Sequence, residues 1–169
     1  AKKSVKVNAT LDTRFTTREE AAQFLEKCSK AAFAIGSVEK KHISRTPAPP
    51  FTTSALQQEA ARKLGLSVSQ TMRIAQKLYE SGLITYMRTD STRISAQALD
   101  DVRAYIGANF PDQLAANSIN YTVGKRAQDA HEAIRPTYVK YTPDYVKQFL
   151  TPDQFKLYSI IWERFVASQ

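Results

Sequence analysis

The sequence predicts a mainly α-helical protein with a few short strands, in which a small strand–helix–strand segment precedes a larger helical domain. Apolar residues recur at helical spacing in several stretches, and polar capping residues precede them. One stretch near the start alternates apolar and polar residues as strands do. The stiff segment Pro47-Ala48-Pro49-Pro50 lies between the two parts. With 43% hydrophobic residues, the chain can form a core, which excludes global disorder.

The first part is predicted to contain one helix between two extended stretches. Residues 4–11 alternate apolar and polar side chains, which is typical of a half-buried strand. Thr17 followed by Glu20 forms a capping-box pattern and predicts a helix over 18–31. A second extended stretch runs to about Arg45. The proline cluster then sets the boundary between parts 1–45 and 46–169.

The second part is predicted to begin with a helix–turn–helix over 54–64 and 68–81. Capping boxes and C-terminal glycines bound these helices: Ser54 with Gln57, Ser67 with Gln70, and Gly65 and Gly82. The β-prone residues 83–88 follow at once. The order helix, turn, helix, strand favours a winged-helix domain of the CAP-like type. Two ordinary packed helices in an unrelated α+β domain would give the same pattern.

Five further elements are predicted after residue 90. Ser95 caps a helix that runs to about Ala108, with Ala98, Val102 and Ile106 facing inward. The others are a short strand at Tyr121–Val123, a helix over 127–135 that Pro136 ends, and two helices over 143–150 and 152–167 that begin at Thr-Pro pairs.

Composition restricts the classes of function. The net charge of +8 favours a polyanionic partner, because basic surfaces gain by neutralising phosphates. A single cysteine and two histidines form neither a disulfide nor a zinc cluster. No apolar run reaches the ~20 residues of a membrane helix. A cytoplasmic protein without membrane contact is expected. The chain lacks an initial Met and ends within an apolar helical run, so we expect a fragment of a longer protein.

The first candidate site is the triplet Tyr86, Arg88 and Asp90. Side chains alternate along a strand, so these three would project from one face. A tyrosine hydroxyl can attack phosphorus, and an arginine can bind a phosphate through two hydrogen bonds. The triplet therefore suits phosphoryl transfer to tyrosine. An amphipathic strand with a weak surface ion pair would show the same spacing.

The second candidate is the segment from Asp129 to Arg135. On a helix, His131 and Arg135 would share one face, where the histidine could contact a phosphate or move a proton. The segment begins like a zinc metalloprotease motif, but arginine stands where the second histidine ligand belongs, which excludes zinc. A histidine with a purely structural role is the alternative.

Four segments together are similar to bacterial DNA topoisomerases of type IA. They are Pro49–Ala60, Thr71–Glu80, Gly82–Ser91 and Ala130–Pro136, and the resemblance covers nearly all of residues 47–169. Residues 1–45 resemble the corresponding stretch only loosely. Met87, between Tyr86 and Arg88, is typical of the topoisomerase I branch of the family.

The resemblance implies specific roles for these residues. Tyr86 would be the nucleophile that breaks one DNA strand and keeps its 5′ end as a phosphotyrosine while the other strand passes, which relaxes negative supercoils. Arg88 would neutralise the scissile phosphate and His131 would hold the DNA. Asp90, Glu132 and Arg135 would support the site.

The resemblance also implies an organisation for the longer protein. Residues 1–45 would be the edge of a second, β-containing arch domain, and residues 46–169 the third domain. Partners would be single-stranded DNA and the other domains of the same enzyme. Mg²⁺ would bind in a separate Toprim domain, so no metal ligand is expected here. Alone, the fragment would be monomeric and inactive, and the enzyme would associate with the nucleoid.

Two other functions compete with this interpretation. A non-enzymatic winged-helix module that binds DNA would explain the charge and the helices, although the second helix offers chiefly Arg73 and Lys77 for DNA contacts. A tyrosine recombinase also combines Arg, His and Tyr. There, however, the nucleophile follows a His-x-x-Arg pair, whereas Tyr86 precedes His131 and the spacing is His-x-x-x-Arg.

Overall fold

The computed structural model describes residues 6–43, 47–121 and 131–169 and is mainly helical. The α-helices are α1 (Arg18–Lys30), α2 (Thr53–Leu64), α3 (Val68–Glu80), α4 (Ala96–Asn109), α5 (Pro143–Val146) and α6 (Pro152–Ala167). Short 3-10 turns lie at Pro111–Gln113 and Lys147–Phe149. The chain divides into two units, Ala1–Ser44 and Arg45–Gln169. Among the described helices, none has the length and apolar character needed to span a membrane.

The first unit contains the predicted helix without the predicted strands. The capping box at Thr17 and Glu20 is present and α1 begins at Arg18, as predicted. Hydrogen bonds from Thr16 and Thr17 lower the pKa of the Glu20 carboxyl. The strand–helix–strand prediction was wrong, since described residues 6–11 and 33–43 form no strand. A strand needs a partner for its backbone groups. Neither stretch finds one in the described part of this unit, and Val7 stays 77% exposed.

The predicted helix–turn–helix at the start of the second unit is confirmed, with one change at its first cap. Gly65 ends α2 with a φ of 66°, a conformation that glycine adopts at low cost, and Ser67 forms a capping box with Gln70 at α3. However, Thr52 rather than Ser54 caps α2, because its hydroxyl accepts a hydrogen bond from the amide of Ala55. The helix therefore begins one residue before the predicted start.

The later helices also begin at their predicted caps. The N-cap of α4 is Ser95, and the N-cap of α6 is Thr151, whose capping box includes Gln154. The predicted helix over 143–150 is shorter, since α5 ends at Val146 and a 3-10 turn follows. Capping side chains satisfy backbone amides locally, which is why these helix starts can be located in the sequence.

The second unit has its main core between α2, α3 and α6. Its fully or nearly fully buried members are Phe51, Leu56, Ala60, Ala75, Leu78, Ile84, Met87, Ile134, Val146, Leu157, Tyr158, Ile160 and Ile161. A second cluster joins α4 to α6 through Ala98, Val102, Ile106, Val139 and Phe165. Ile84, Met87 and Ile134 belong to the main core although they lie outside the helices, so the core also holds the segments between them.

Of the strand predicted at 83–88, only Ile84 pairs, in a single bridge. In the described ranges, strand pairing is limited to two isolated antiparallel bridges, Phe51–Ile134 and Ile84–Pro136. The mainly helical fold class is confirmed, but its winged-helix detail is not. A strand ladder needs consecutive pairs, and Pro136 lacks the amide hydrogen that would help to extend the second bridge. Of the predicted strand Tyr121–Val123, the last two residues lie outside the described ranges.

The predicted helix over 127–135 was wrong where the structure describes it. Residues 127–130 lie outside the described ranges, and residues 131–135 are not helical. The amide of Ala133 donates to the carbonyl of Arg93, and that of Ile134 donates to the carbonyl of Phe51. These distant partners replace the carbonyl four residues earlier that a helix would use. Pro136 adds to the effect, since it disfavours helical angles at the preceding residue.

One carboxylate, that of Glu59, ties α2 to α6. It pairs with Arg62 at 2.8 Å and Lys63 at 3.0 Å on its own helix and with Arg164 of α6 at 3.4 Å. The guanidinium of Arg164 also lies 4.3 Å from the centre of the Phe51 ring. Hydrogen bonds from Arg62, followed by those from Lys63, lower the pKa of the Glu59 carboxyl to about 2.

We predict that Glu59→Gln lowers the unfolding free energy at pH 7 by about 1–2 kcal/mol, the range for a charged hydrogen-bonded group still in contact with solvent. The folded pKa of about 2 lies below the ordinary value of 4.5 for a glutamate carboxyl, so the charged pairs stabilise the fold fully above pH 4.5 and are lost towards pH 2. The difference in Tm between wild type and variant should therefore shrink over that interval. Thermal unfolding, monitored by circular dichroism at several pH values, measures this difference in Tm. Glu80→Gln, at an exposed position, is the control, and a difference that does not change with pH would contradict the prediction.

Candidate functional site

The candidate site lies on the segment between α3 and α4, in which side chains alternate between the core and the solvent. Met87, Thr89 and Ser91 are buried. Tyr86, Arg88 and Asp90 are exposed, and the tyrosine retains 38% of its surface. This is the alternation expected of a strand, although no strand is present. The three predicted site residues therefore point away from the core together.

His131 lies beside Tyr86. The two rings are 5.7 Å apart between centroids and tilted by 41°. Tyr79, at the end of α3, meets the Tyr86 ring edge-on at 5.3 Å. Tyr79 itself keeps 40% of its surface exposed. Tyr86 thus has an aromatic neighbour that helical spacing did not reveal.

Backbone hydrogen bonds bring these residues together from distant parts of the chain. The amide of Thr85 donates to the carbonyl of Arg135 at 2.9 Å, and the amide of Thr137 donates to the carbonyl of Leu83 at 3.0 Å. These bonds flank the bridge between Ile84 and Pro136. The segment that carries Tyr86 therefore lies along the segment that carries His131.

An open cleft of about 690 Å³ adjoins this pair of segments. Arg88, Asp90 and His131 are among the residues that line it. Its other lining residues come from the start of α2 and from α3: Thr52, Thr53, Ser54, Gln57 and Met72, together with Thr89. The cleft therefore combines a guanidinium, an imidazole and several hydroxyl and amide groups, which can contact an anionic, hydrogen-bonding ligand.

Glu132 and Arg135 form an ion pair behind His131. Two nitrogens of Arg135, Nε at 2.7 Å and a terminal nitrogen at 2.6 Å, contact the same oxygen of Glu132. Arg135 also donates to the carbonyls of Pro136 at 3.0 Å and Thr137 at 3.3 Å. The pair is largely shielded from solvent, with the arginine side chain 12% exposed. It holds the turn after His131 in a fixed shape.

The donor set of these residues does not fit a magnesium ion. Asp90 is the sole carboxylate among the described residues that line the cleft, and Glu132 is already paired with Arg135. Elsewhere in the described ranges, His, Cys, Asp and Glu side chains form no group of three or more that could hold a metal. Magnesium prefers several oxygen ligands with near-octahedral geometry.

Sequence reasoning missed the part of the cleft that α2 contributes. Ser54 and Gln57 were interpreted only as a capping box, which does not form, and Thr52 and Thr53 were given no role. The available signal was that these residues lie within Pro49–Ala60, a segment that resembles type IA topoisomerases. Hydroxyl-rich helix starts are common, so the residue types alone would not have distinguished a cleft from a cap.

Comparison with known proteins places the chain among DNA topoisomerases. A sequence model of the family described as DNA topoisomerase matches residues 1–169. DNA topoisomerase 1 of Rickettsia felis is 49% identical over 161 residues, which cover 89% of this chain and 21% of that protein. DNA topoisomerase 1 of Treponema pallidum is 46% identical over 163 residues, which cover 92% of this chain and 22% of that protein.

A solved structure agrees with these relatives. Full-length topoisomerase I from Thermotoga maritima is 40% identical and has a TM-score of 0.65, and the match covers 95% of this chain and 26% of that one. The chain thus spans about a fifth of the length of the curated relatives it matches. The resemblance noted in the sequence is confirmed, and the chain belongs to the bacterial DNA topoisomerase family.

Proposed function

We propose that this chain supplies the DNA-cleaving tyrosine of a type IA topoisomerase, which relaxes negatively supercoiled DNA by cutting one strand, passing the other and resealing the cut. The observation that carries the proposal is the position of Tyr86. Its ring is exposed and lies against His131, whose side chain shares a cleft with Arg88. Family membership supports the same reaction.

The proposed cleavage is a phosphoryl transfer. The Tyr86 hydroxyl oxygen attacks the phosphorus of a DNA phosphodiester and loses its proton. A bond forms between phosphorus and this oxygen, and the bond between phosphorus and the 3′ oxygen breaks. The released 3′ oxygen takes up a proton, while the 5′ end stays on the protein as a phosphotyrosine. In the reverse transfer the 3′ oxygen attacks phosphorus and the bond to Tyr86 breaks. Resealing needs no ATP, because the phosphotyrosine is itself a phosphodiester and one such linkage is exchanged for another.

The other residues would stabilise the negative charge of the transition state or position the DNA and the reacting groups. Arg88 would bind the scissile phosphate through two hydrogen bonds and stabilise the negative charge of the transition state. His131 would hold the DNA against the Tyr86 ring. Asp90 would support the site from the same exposed side of the segment. Glu132 and Arg135, as an ion pair, would fix the turn that presents His131.

We propose single-stranded DNA and the remaining domains of the same enzyme as partners. Residues 1–45 would be the edge of a second domain and residues 46–169 the third domain. Magnesium would be held by another domain, and the donor set of the described residues around the cleft does not fit it. A monomeric state for this chain and a location at the nucleoid in the cytoplasm remain predictions.

Replacing Tyr86 by phenylalanine in the full-length enzyme should abolish cleavage while DNA binding and Tm stay close to wild type. The change removes only the attacking oxygen and keeps the ring that contacts Tyr79 and His131. The measurement is the covalent protein–DNA adduct that survives denaturation, formed with labelled single-stranded DNA.

Tyr79→Phe is the matched control, since it removes a neighbouring phenol oxygen and should leave the adduct intact. An adduct formed by the Tyr86→Phe enzyme would refute the proposed nucleophile. We also expect residues 1–169 alone to form no adduct, with or without Mg²⁺. An adduct from this chain alone would show that no further domain is needed.

Arg88→Lys should slow cleavage by about 10²- to 10³-fold, the cost of losing one well-placed transition-state donor. Lysine keeps the positive charge but loses the planar pair of hydrogen bonds. Single-turnover rates of adduct formation measure the effect. Arg73→Lys, at an exposed position of α3 outside the lining of the cleft, is the control. Equal rates for the two variants would contradict the role given to Arg88.

Residues 1–169 should bind single-stranded DNA with little sequence preference and with an affinity that falls as salt rises. The net charge of +8 implies phosphate contacts that release counterions, with a log–log slope of about −0.7 for each phosphate neutralised. Fluorescence anisotropy over a salt series measures this. Tight, salt-resistant binding to one duplex sequence would instead favour the non-enzymatic DNA-binding module.

A further inference from the structure

Thr53, the first residue of α2, makes an unusual set of hydrogen bonds to the residues on both sides of Arg88. Its hydroxyl donates to the carbonyl of Met87 at 2.8 Å and accepts from the amide of Thr89 at 2.8 Å. Its own amide donates to the carbonyl of Thr89 at 2.9 Å. The backbone before and after Arg88 is thereby attached to the start of a helix.

Thr85 repeats this pattern on the segment that carries His131. Its hydroxyl donates to the carbonyl of Ala133 at 2.7 Å and accepts from the amide of Arg135 at 3.0 Å. Its own amide donates to the carbonyl of Arg135 at 2.9 Å. In both cases one threonine binds the amide and carbonyl of one residue and the carbonyl two positions earlier. The arrangement adds to the two isolated bridges the kind of backbone restraint that a longer strand pairing would give.

The two threonines enclose the predicted catalytic residues. Thr85 immediately precedes Tyr86, and Thr53 holds the residues on either side of Arg88. The described hydrogen bonds of the Thr89 and Arg135 amides go to these two hydroxyls. Removing either hydroxyl would leave a partly buried amide and a carbonyl without these partners, and the segment would move to recover them.

We propose that Thr53 and Thr85 are positioning residues for DNA cleavage. Their hydroxyls fix Arg88 and Tyr86 relative to His131, so that the attacking oxygen, the guanidinium and the imidazole meet the same phosphate. The inference rests on the proposed function. Neither hydroxyl needs to touch DNA in this role, because each acts through the backbone that it holds.

The experiment compares valine and serine replacements in the full-length enzyme. Thr53→Val and Thr85→Val keep the shape of the side chain and remove the hydroxyl. Each should lower the maximal single-turnover rate of adduct formation by about 10- to 100-fold, the cost of misplacing reacting groups by an ångström or less. The DNA concentration that gives half the maximal rate should stay close to wild type. Thr53→Ser and Thr85→Ser keep the hydroxyl and should restore most of the rate.

The split between rate and DNA affinity separates positioning from loss of structure. Rates are normalised to the fraction of enzyme that binds DNA, and Tm is measured for every variant. Thr71→Val is the matched control, because it removes a buried hydroxyl that bonds to the carbonyl of Ser67 within α3. It should leave the rate unchanged. If a valine variant does not fold, Thr53→Ala and Thr85→Ala replace it, with the same expected loss of rate.

The possible outcomes distinguish this inference from the function on which it rests. An adduct formed by the Tyr86→Phe enzyme overturns the proposed function and the inference with it. If Tyr86→Phe is inactive but the valine variants cleave at the wild-type rate, only the inference fails. It also fails if the serine variants are as slow as the valine variants, or if Thr71→Val slows cleavage equally.

Discussion

The pairing of the segment around Ile84 with the segment around Pro136 holds the candidate site together. Two backbone hydrogen bonds and the side chain of Thr85 connect them. Tyr86 lies on the first segment and His131 on the second, about 45 positions apart in the chain. Neither segment belongs to a helix or a sheet, so a slip of one along the other would separate the two rings. Every contact that fixes this register therefore also fixes the site.

The helices supply the stability that these segments lack. Ile84, Met87 and Ile134 are buried with side chains from α2, α3 and α6. Phe51 connects the extended segments to the helices. Its carbonyl accepts a hydrogen bond from the amide of Ile134, and its ring packs against the guanidinium of Arg164 on α6. Displacing the extended segments would expose this apolar surface, which costs free energy in proportion to its area. The core thus restrains residues that have little regular structure of their own.

Local signals in the sequence predicted the helices, whereas contacts between distant residues decided the rest. A cap such as Ser67 with Gln70 acts within four residues, so the sequence shows both partners together. The partners of Ala133 and Ile134 are Arg93 and Phe51, which no local pattern reveals, and the helix predicted there was wrong. The strand predicted over 4–11 did not form in its described residues 6–11, for the related reason that alternation cannot show whether a pairing partner exists. Tyr86, Arg88 and His131 were predicted as site residues from their chemistry and the family resemblance. The hydrogen bonds of Thr53 and Thr85 join residues more than 30 positions apart, so no local pattern revealed them.

The spacing of Tyr86 and Arg88 predicted that their side chains share one face, and they do so even though the strand did not form. Alternation depends on an extended backbone, and here the buried Met87 and Thr89 keep the backbone extended without a ladder of strands. One side of the segment bonds to residues 133–137 and to α2, while the exposed Arg88 and Asp90 border an open cleft. A central strand would have had neighbours along both edges. The open border suits the proposed polymeric substrate, because a DNA strand must enter the site at one end and leave at the other without threading through the protein.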